Sequence, residues 1–171
     1  MVKKVLFIIA FENFRDEEFF EPKAILETSG FKTAVASSKK GTAESVLGKE
    51  QMVEKTIFDV NVADYIAVIF VGGSGAVCFF EDPIALAIAE ETVFQRKVLG
   101  AICIAPSILA NAGVLTGKKA TCFSSEKEKL IAKGAEFIDE PVVIDGKIIT
   151  ANGPSAAKDF GWKIVEMLAS H

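Results

Sequence analysis

Six consecutive residues, Ile66-Ala-Val-Ile-Phe-Val71, form an unbroken apolar run rich in β-branched side chains, and Gly72-Gly73-Ser74-Gly75 follows at once. A strand with no polar alternation is covered on both faces, which requires a parallel sheet sandwiched between helices. The rest of the chain supplies the parts of such a sheet. Residues 3–10 read as a second buried strand, after which Asp16 caps a helix over residues 17–28 that Ser29-Gly30 ends. Residues 32–38 read as a strand, and 39–54 as a polar, glycine-punctuated stretch leading to a hairpin arm at 53–60. Asp82-Pro83 opens a helix to about Arg96, residues 98–102 and 120–123 are further strands, and Ser124 caps a helix that reaches Gly134. An Asp145-Gly146 turn makes a hairpin of residues 142–149. Gly153-Pro154 starts a closing helix with Trp162, Ile164, Val165 and Leu168 on its apolar face. Strands alternating with helices give an α/β fold with a mostly parallel sheet and helices on both faces. The 171 residues suit one domain over 1–171.

Composition narrows the function. A net charge of −4 gives no reason to expect nucleic acid as a partner. The longest apolar runs fall far short of the roughly 20 residues of a membrane helix, and no signal-peptide pattern is present, so a cytoplasmic protein with no membrane partner is expected. Cys78, Cys103 and Cys122 cannot all pair and match no zinc spacing, so they are expected to be reduced thiols, with no metal and no cofactor. Gly73-Ser-Gly75 resembles part of a dinucleotide fingerprint, but Cys78 stands where its third small residue belongs.

The chemistry concentrates on Cys103. The apolar strand ending at Ile102 stops at a cysteine, and a short helix over 105–112 begins almost immediately, with Pro106 in its first turn and Gly113 past its end. A thiol at a helix N-terminus is expected to ionise more easily than a free one, whose pKa is about 8.5; a buried structural cysteine is the alternative. In an open parallel sheet, sites form where strand ends lead into helices. Three such loops would supply an acid, backbone donors and a nucleophile: Glu18, the amides of Gly73 and Ile104 as an oxyanion hole, and Cys103. Arg15, Gly72, Pro106, Cys122 and Phe123 are expected to line the same site. Glu18 is preferred over its acidic neighbours because Phe19 and Phe20 flank it, so that partial burial would raise its pKa. The one histidine, His171, is the last residue, which leaves a Cys-His dyad within one chain improbable.

In order and at these spacings, Lys4-Val-Leu-Phe-Ile, Asp16-Glu-Glu18-Phe-Phe-Glu-Pro22, Val71-Gly-Gly73, Ala101-Ile-Cys103-Ile-Ala-Pro106, Leu115-Thr-Gly-Lys-Lys-Ala-Thr121 and Asp145-Gly-Lys-Ile-Ile-Thr-Ala-Asn-Gly-Pro154 resemble the ThiJ/PfpI superfamily. That superfamily includes the Parkinson-associated deglycase and archaeal intracellular peptidases. The resemblance implies a flavodoxin-like three-layer sandwich and a cysteine on a strained strand-to-helix elbow. It also implies a glutamate donating to that cysteine, and homo-oligomers, dimers or larger. Carried over by position, it assigns Cys103 as nucleophile, Glu18 as acid, and Gly73 and Ile104 as oxyanion donors. The chain departs from the peptidase pattern, with Ile104 where a histidine would follow the cysteine and Ser124-Ser125 where other members place one. The expected function is therefore a cysteine-dependent enzyme of stress protection that hydrates or deglycates reactive carbonyls such as glyoxals, with a small molecule as substrate. A redox sensor or chaperone-like protein using the same oxidisable cysteine is the alternative. An intracellular cysteine peptidase is disfavoured by the missing histidine.

Overall fold

A computed structural model describes residues 2–170. In chain order the strands are β1 (Lys4–Ile8), β2 (Glu12–Phe14), β3 (Lys32–Ser37), β4 (Gly41–Ser45), β5 (Glu50–Val53), β6 (Lys55–Thr56), β7 (Ala67–Phe70), β8 (Val98–Ile102), β9 (Lys119–Ala120), β10 (Glu136–Phe137), β11 (Val142–Asp145) and β12 (Ile148–Ala151). The α-helices are α1 (Asp16–Thr28), α2 (Pro83–Phe94), α3 (Pro106–Asn111), α4 (Lys127–Ala132) and α5 (Ala157–Ala169). Seven strands form one sheet in the order β11-β12-β8-β7-β1-β3-β6, parallel throughout except for the β11–β12 hairpin. Taken by order of appearance, β3-β1-β7-β8-β12 reads 2-1-3-4-5, the flavodoxin-like order of a doubly wound sheet.

Alternate side chains of the central strands feed two cores. Leu6, Ile8, Val68, Phe70 and Leu99 pack under α2, α3 and α4, meeting Ile88, Leu109 and Leu130. Val5, Phe7, Ile69 and Val98 face the other way, against Phe19 and Leu26 of α1 and Phe160, Ile164 and Leu168 of α5. The result is three layers, and the apolar runs of the sequence are the middle one. Among the described residues no helix is long and apolar enough to cross a membrane.

Several local expectations are corrected. The hairpin lies at β4–β5, not at 53–60: Ala43 and Ser45 are buried between exposed Thr42 and Glu44, so a two-residue period ran through a stretch whose polarity concealed it. Within residues 53–60, Val53 ends β5, and the rest holds only the short edge strand β6 and a 3-10 turn at Ile57–Asp59. Asp16 lies inside α1, behind Arg15 as N-cap; its buried carboxylate accepts instead from Ser45 Oγ at 2.6 Å and Leu47 N at 3.1 Å, which anchors the hairpin. Of residues 120–123 only Ala120 is in a strand, paired with β10 outside the main sheet. A 3-10 turn at Ser124–Glu126, without a side-chain cap from Ser124, precedes α4. Trp162 is 51% exposed, because the buried stripe of α5 is Ala157, Phe160, Gly161, Ile164 and Leu168, and Trp162 falls between its rows.

Candidate active site

The topology reverses between β1 and β7, and their carboxyl ends, with that of β8 beside β7, bring three loops together. The loop after β1 leads through β2 into α1, which carries Glu18 in its first turn. The loop after β7 carries Gly72 and Gly73, and Arg15 N donates to Gly72 O at 3.0 Å, tying it to the start of α1. Gly73 has φ 103, a conformation that costs glycine nothing, and a side chain there would run into Asn13 and Phe14.

Cys103 follows the last residue of β8. Its φ of 66 is left-handed, unusual for a residue with a β-carbon, and it turns the chain abruptly out of the sheet. Both of its backbone groups are held: its N–H donates to Ala151 O at 2.9 Å, and its carbonyl accepts from Phe123 N at 2.8 Å. α3 begins three residues later, behind Ala105 as N-cap, so the cysteine stands before the helix rather than in its first turn.

Glu18 is completely buried, and neither carboxyl oxygen is engaged in a well-formed hydrogen bond. The Cys103 thiol and the Gly72 amide are nevertheless close enough to act on its charge. Gly72 is the floor between the two side chains, because a β-carbon there would meet both Glu18 Oε1 and the Cys103 β-carbon. Burial raises the Glu18 carboxyl from 4.5 to about 7, against smaller opposing effects of Cys103 and Arg15. Burial also pushes the Cys103 thiol up to about 12, and the neighbouring Glu18 charge adds to this. The amides of Gly73 and Ile104 pull the other way, towards the thiolate. The expectation of a sulfur that ionises readily on its own is thus overturned, because desolvation outweighs the nearby N–H groups. The pair instead loses its first proton near pH 7 and keeps the second well above it.

The structure brings Glu18, Gly72, Gly73, Cys103 and Ile104 together. Pro106 is buried in the first turn of α3, and Arg15 stands at the rim with its guanidinium on Glu17, Nε to Oε2 at 2.7 Å. Cys122 is buried, its thiol raised to about 12 by desolvation and by Glu126, and it lines a neighbouring cavity with Phe123. That cavity, of about 420 Å³, is also lined by Lys127, Phe137 and Asp139, which sequence reasoning missed. They come from α4 and from the segment around β10, and no local pattern connects them with Cys103. His171 lies outside the described residues. Among the described residues no three His, Cys, Asp or Glu side chains cluster to hold a metal ion.

The DJ-1/PfpI family model matches residues 3–167. The chain belongs to that family. An uncharacterised protein of Methanocaldococcus jannaschii is 42% identical over 168 residues, which is 96% of this chain and 82% of that one. A deglycase of Pyrococcus horikoshii is 33% identical over 152 residues, covering 89% and 91%. The crystal structure of a ThiJ/PfpI domain protein from Brachyspira murdochii superposes with a TM-score of 0.97 at 34% identity, over 99% of this chain and 98% of that one. In this DJ-1/PfpI protein the fold is therefore a family feature.

Proposed function

We propose that this DJ-1/PfpI protein is a cysteine-dependent enzyme acting on small reactive carbonyl compounds, in the manner of a glyoxal hydratase or deglycase. The reading is carried by one observation: a buried carboxyl without a formed hydrogen bond, raised to about 7, beside a cysteine held in a left-handed turn. A base whose pKa lies near the working pH is well matched to removing a proton and returning it. Ionised Glu18 takes the thiol proton as the Cys103 sulfur attacks an aldehyde carbon. The C–S bond forms while the carbonyl π pair moves onto oxygen. The N–H groups of Gly73 and Ile104, which favour negative charge at the sulfur, stabilise it on that oxygen in this reading. Protonated Glu18 then gives its proton to the alkoxide, leaving a neutral hemithioacetal.

With a 1,2-dicarbonyl substrate, Glu18 next removes the proton from the former aldehyde carbon, the electron pair forms a C=C bond and the ketone oxygen takes up a proton to give an enediol. A proton then returns to the adjacent carbon as the hydroxyl on the sulfur-bearing carbon gives its proton up and becomes the thioester carbonyl. The product is a 2-hydroxy thioester. Water cleaves the thioester, releasing the 2-hydroxy acid and restoring the thiol. The sum is dicarbonyl plus water, with no external oxidant or reductant. The relationship to a deglycase supports this reading, and no step requires an imidazole.

The test is turnover of methylglyoxal to lactate by the wild type, Cys103→Ser and Glu18→Gln, with folding monitored by circular dichroism. Cys103→Ser is expected to abolish turnover, and Glu18→Gln to lower kcat by at least about 100-fold. No turnover by the wild type, or full turnover by folded Cys103→Ser, overturns the reading.

A further inference from the structure

The cavity beside the elbow is joined to Cys103 through the backbone on both sides. Phe123, on its wall, donates its N–H to the Cys103 carbonyl at 2.8 Å, and Asn152, also on its wall, follows the Ala151 carbonyl that accepts from Cys103 N. Cys103 is not itself on the wall, but its backbone borders the cavity, which makes this the adjoining space for the remainder of a molecule whose reactive end lies at Cys103. Its apolar flank is Phe123, 44% exposed, together with Phe137. Its cation is Lys127, whose ammonium stands 5.2 Å from the centre of the Phe137 ring. Among the described residues Lys127, like most lysines of the chain, has no carboxylate partner; only Lys23, Lys129 and Lys163 have one. Of the two acids adjacent in sequence, Glu126 is already occupied by Ser107, Ser125 and Lys129, and Glu128 forms no ion pair with Lys127. Asp139 shares the cavity but makes no ion pair with Lys127.

We propose that Lys127 is a specificity-determining residue: it receives the carboxylate of a carbonyl substrate whose carbon skeleton lies against Phe123. The inference rests on the reading of Cys103 as the nucleophile towards carbonyls. A single ammonium with Asp139 in the same cavity suits a singly charged carboxylate better than a phosphate dianion, because each added negative charge meets Asp139 as well. The polar groups of Asn152 and Asp139 are left for a hydroxyl or amide of the substrate.

The experiment compares phenylglyoxal with its 3- and 4-carboxy derivatives on the wild type, Lys127→Met and Lys127→Arg. One carboxy isomer is expected to have a KM about threefold below that of phenylglyoxal on the wild type, as an ion pair to the exposed Lys127 allows. Lys127→Met should remove that preference through KM, bringing the carboxy substrates to the level of phenylglyoxal, and Lys127→Arg should restore most of it. A loss falling equally on neutral and charged substrates would make Lys127 a structural partner of Phe137 and overturn the proposal, as would no preference on the wild type. Benzoate binding, followed by NMR titration, decides the matter even where no substrate turns over. Binding lost in Lys127→Met supports the proposal, while no binding, or equal competition by inorganic phosphate, overturns it. Failure of turnover with benzoate binding intact would instead count against the carbonyl chemistry at Cys103.

Discussion

The Glu18 carboxyl and the Cys103 side chain converge on Gly72, and the space between them is small enough that one methyl group at position 72 would collide with both. That closeness makes the two titrate as a pair. It also makes the site sensitive to changes in the floor, the acid, the elbow and its supports.

Gly72→Ala should displace Glu18 or Cys103, since the new β-carbon also falls 2.7 Å from the Ile102 carbonyl, which cannot move without disturbing β8. Overpacking of this kind costs about 1–3 kcal/mol. A lowered urea midpoint together with loss of Cys103 reactivity is the expected result.

Glu18 makes stability depend on pH in a stated direction. Its carboxyl is raised from 4.5 to about 7, so the unfolded chain releases this proton first, and folding stability contributed by the neutral acid is present below about 4.5 and lost as pH rises through about 7. The shift corresponds to a loss of about 3 kcal/mol between these limits. Urea unfolding of Glu18→Gln should lack that decline, so the variant gains on the wild type from pH 5 to pH 8. Parallel pH profiles for the two proteins would place the proton elsewhere.

Alkylation of Cys103, followed by mass spectrometry, should accelerate with a midpoint near pH 7 as the pair loses its first proton, not near the pKa of an isolated thiol. In Glu18→Gln the base is gone, and the midpoint should move upward by more than a unit.

The elbow stores backbone strain at φ 66. Replacing Cys103 by Gly, to which that conformation is free, should therefore give a more stable protein than replacing it by Ala, by about 1 kcal/mol. Equal melting of Cys103→Gly and Cys103→Ala would mean that the turn is unstrained.

Behind the elbow, Ser107 Oγ of α3 donates to the buried Glu126 carboxylate at 2.8 Å. Glu126 ends the 3-10 turn that begins behind Phe123, whose amide holds the Cys103 carbonyl. Ser107→Ala should cost about 1–2 kcal/mol, because Glu126 keeps Ser125 and Lys129 as partners. Denaturant unfolding of the variant measures it.

How much of this was legible beforehand varies with the range of the forces involved. The strands β1, β7 and β8 could be read directly, because a segment buried on both faces has no polar side and its composition alone reveals it. Capping did the same for α2 through Asp82-Pro83. The Glu18–Cys103 pairing was anticipated from the order of loops after strands and from the family resemblance. Asp16 misled as a helix cap, since a carboxylate at the start of a helix looks the same whether it accepts from its own amides or, as here, from Ser45 and Leu47 on a distant hairpin. Trp162 misled because a large apolar side chain near the stripe of a helix need not lie on it.

The amino-acid order by itself determined the layers, the parallel sheet and the position of a cysteine at a strand end, since these follow from local periodicity and turn chemistry. Only the tertiary structure decided the protonation of that cysteine. Desolvation comes from atoms distant in sequence, and here it raises both Glu18 and Cys103 more than the adjacent amides lower them. The same is true of the cavity containing Lys127, whose walls are drawn from segments that meet only after the sheet is wound.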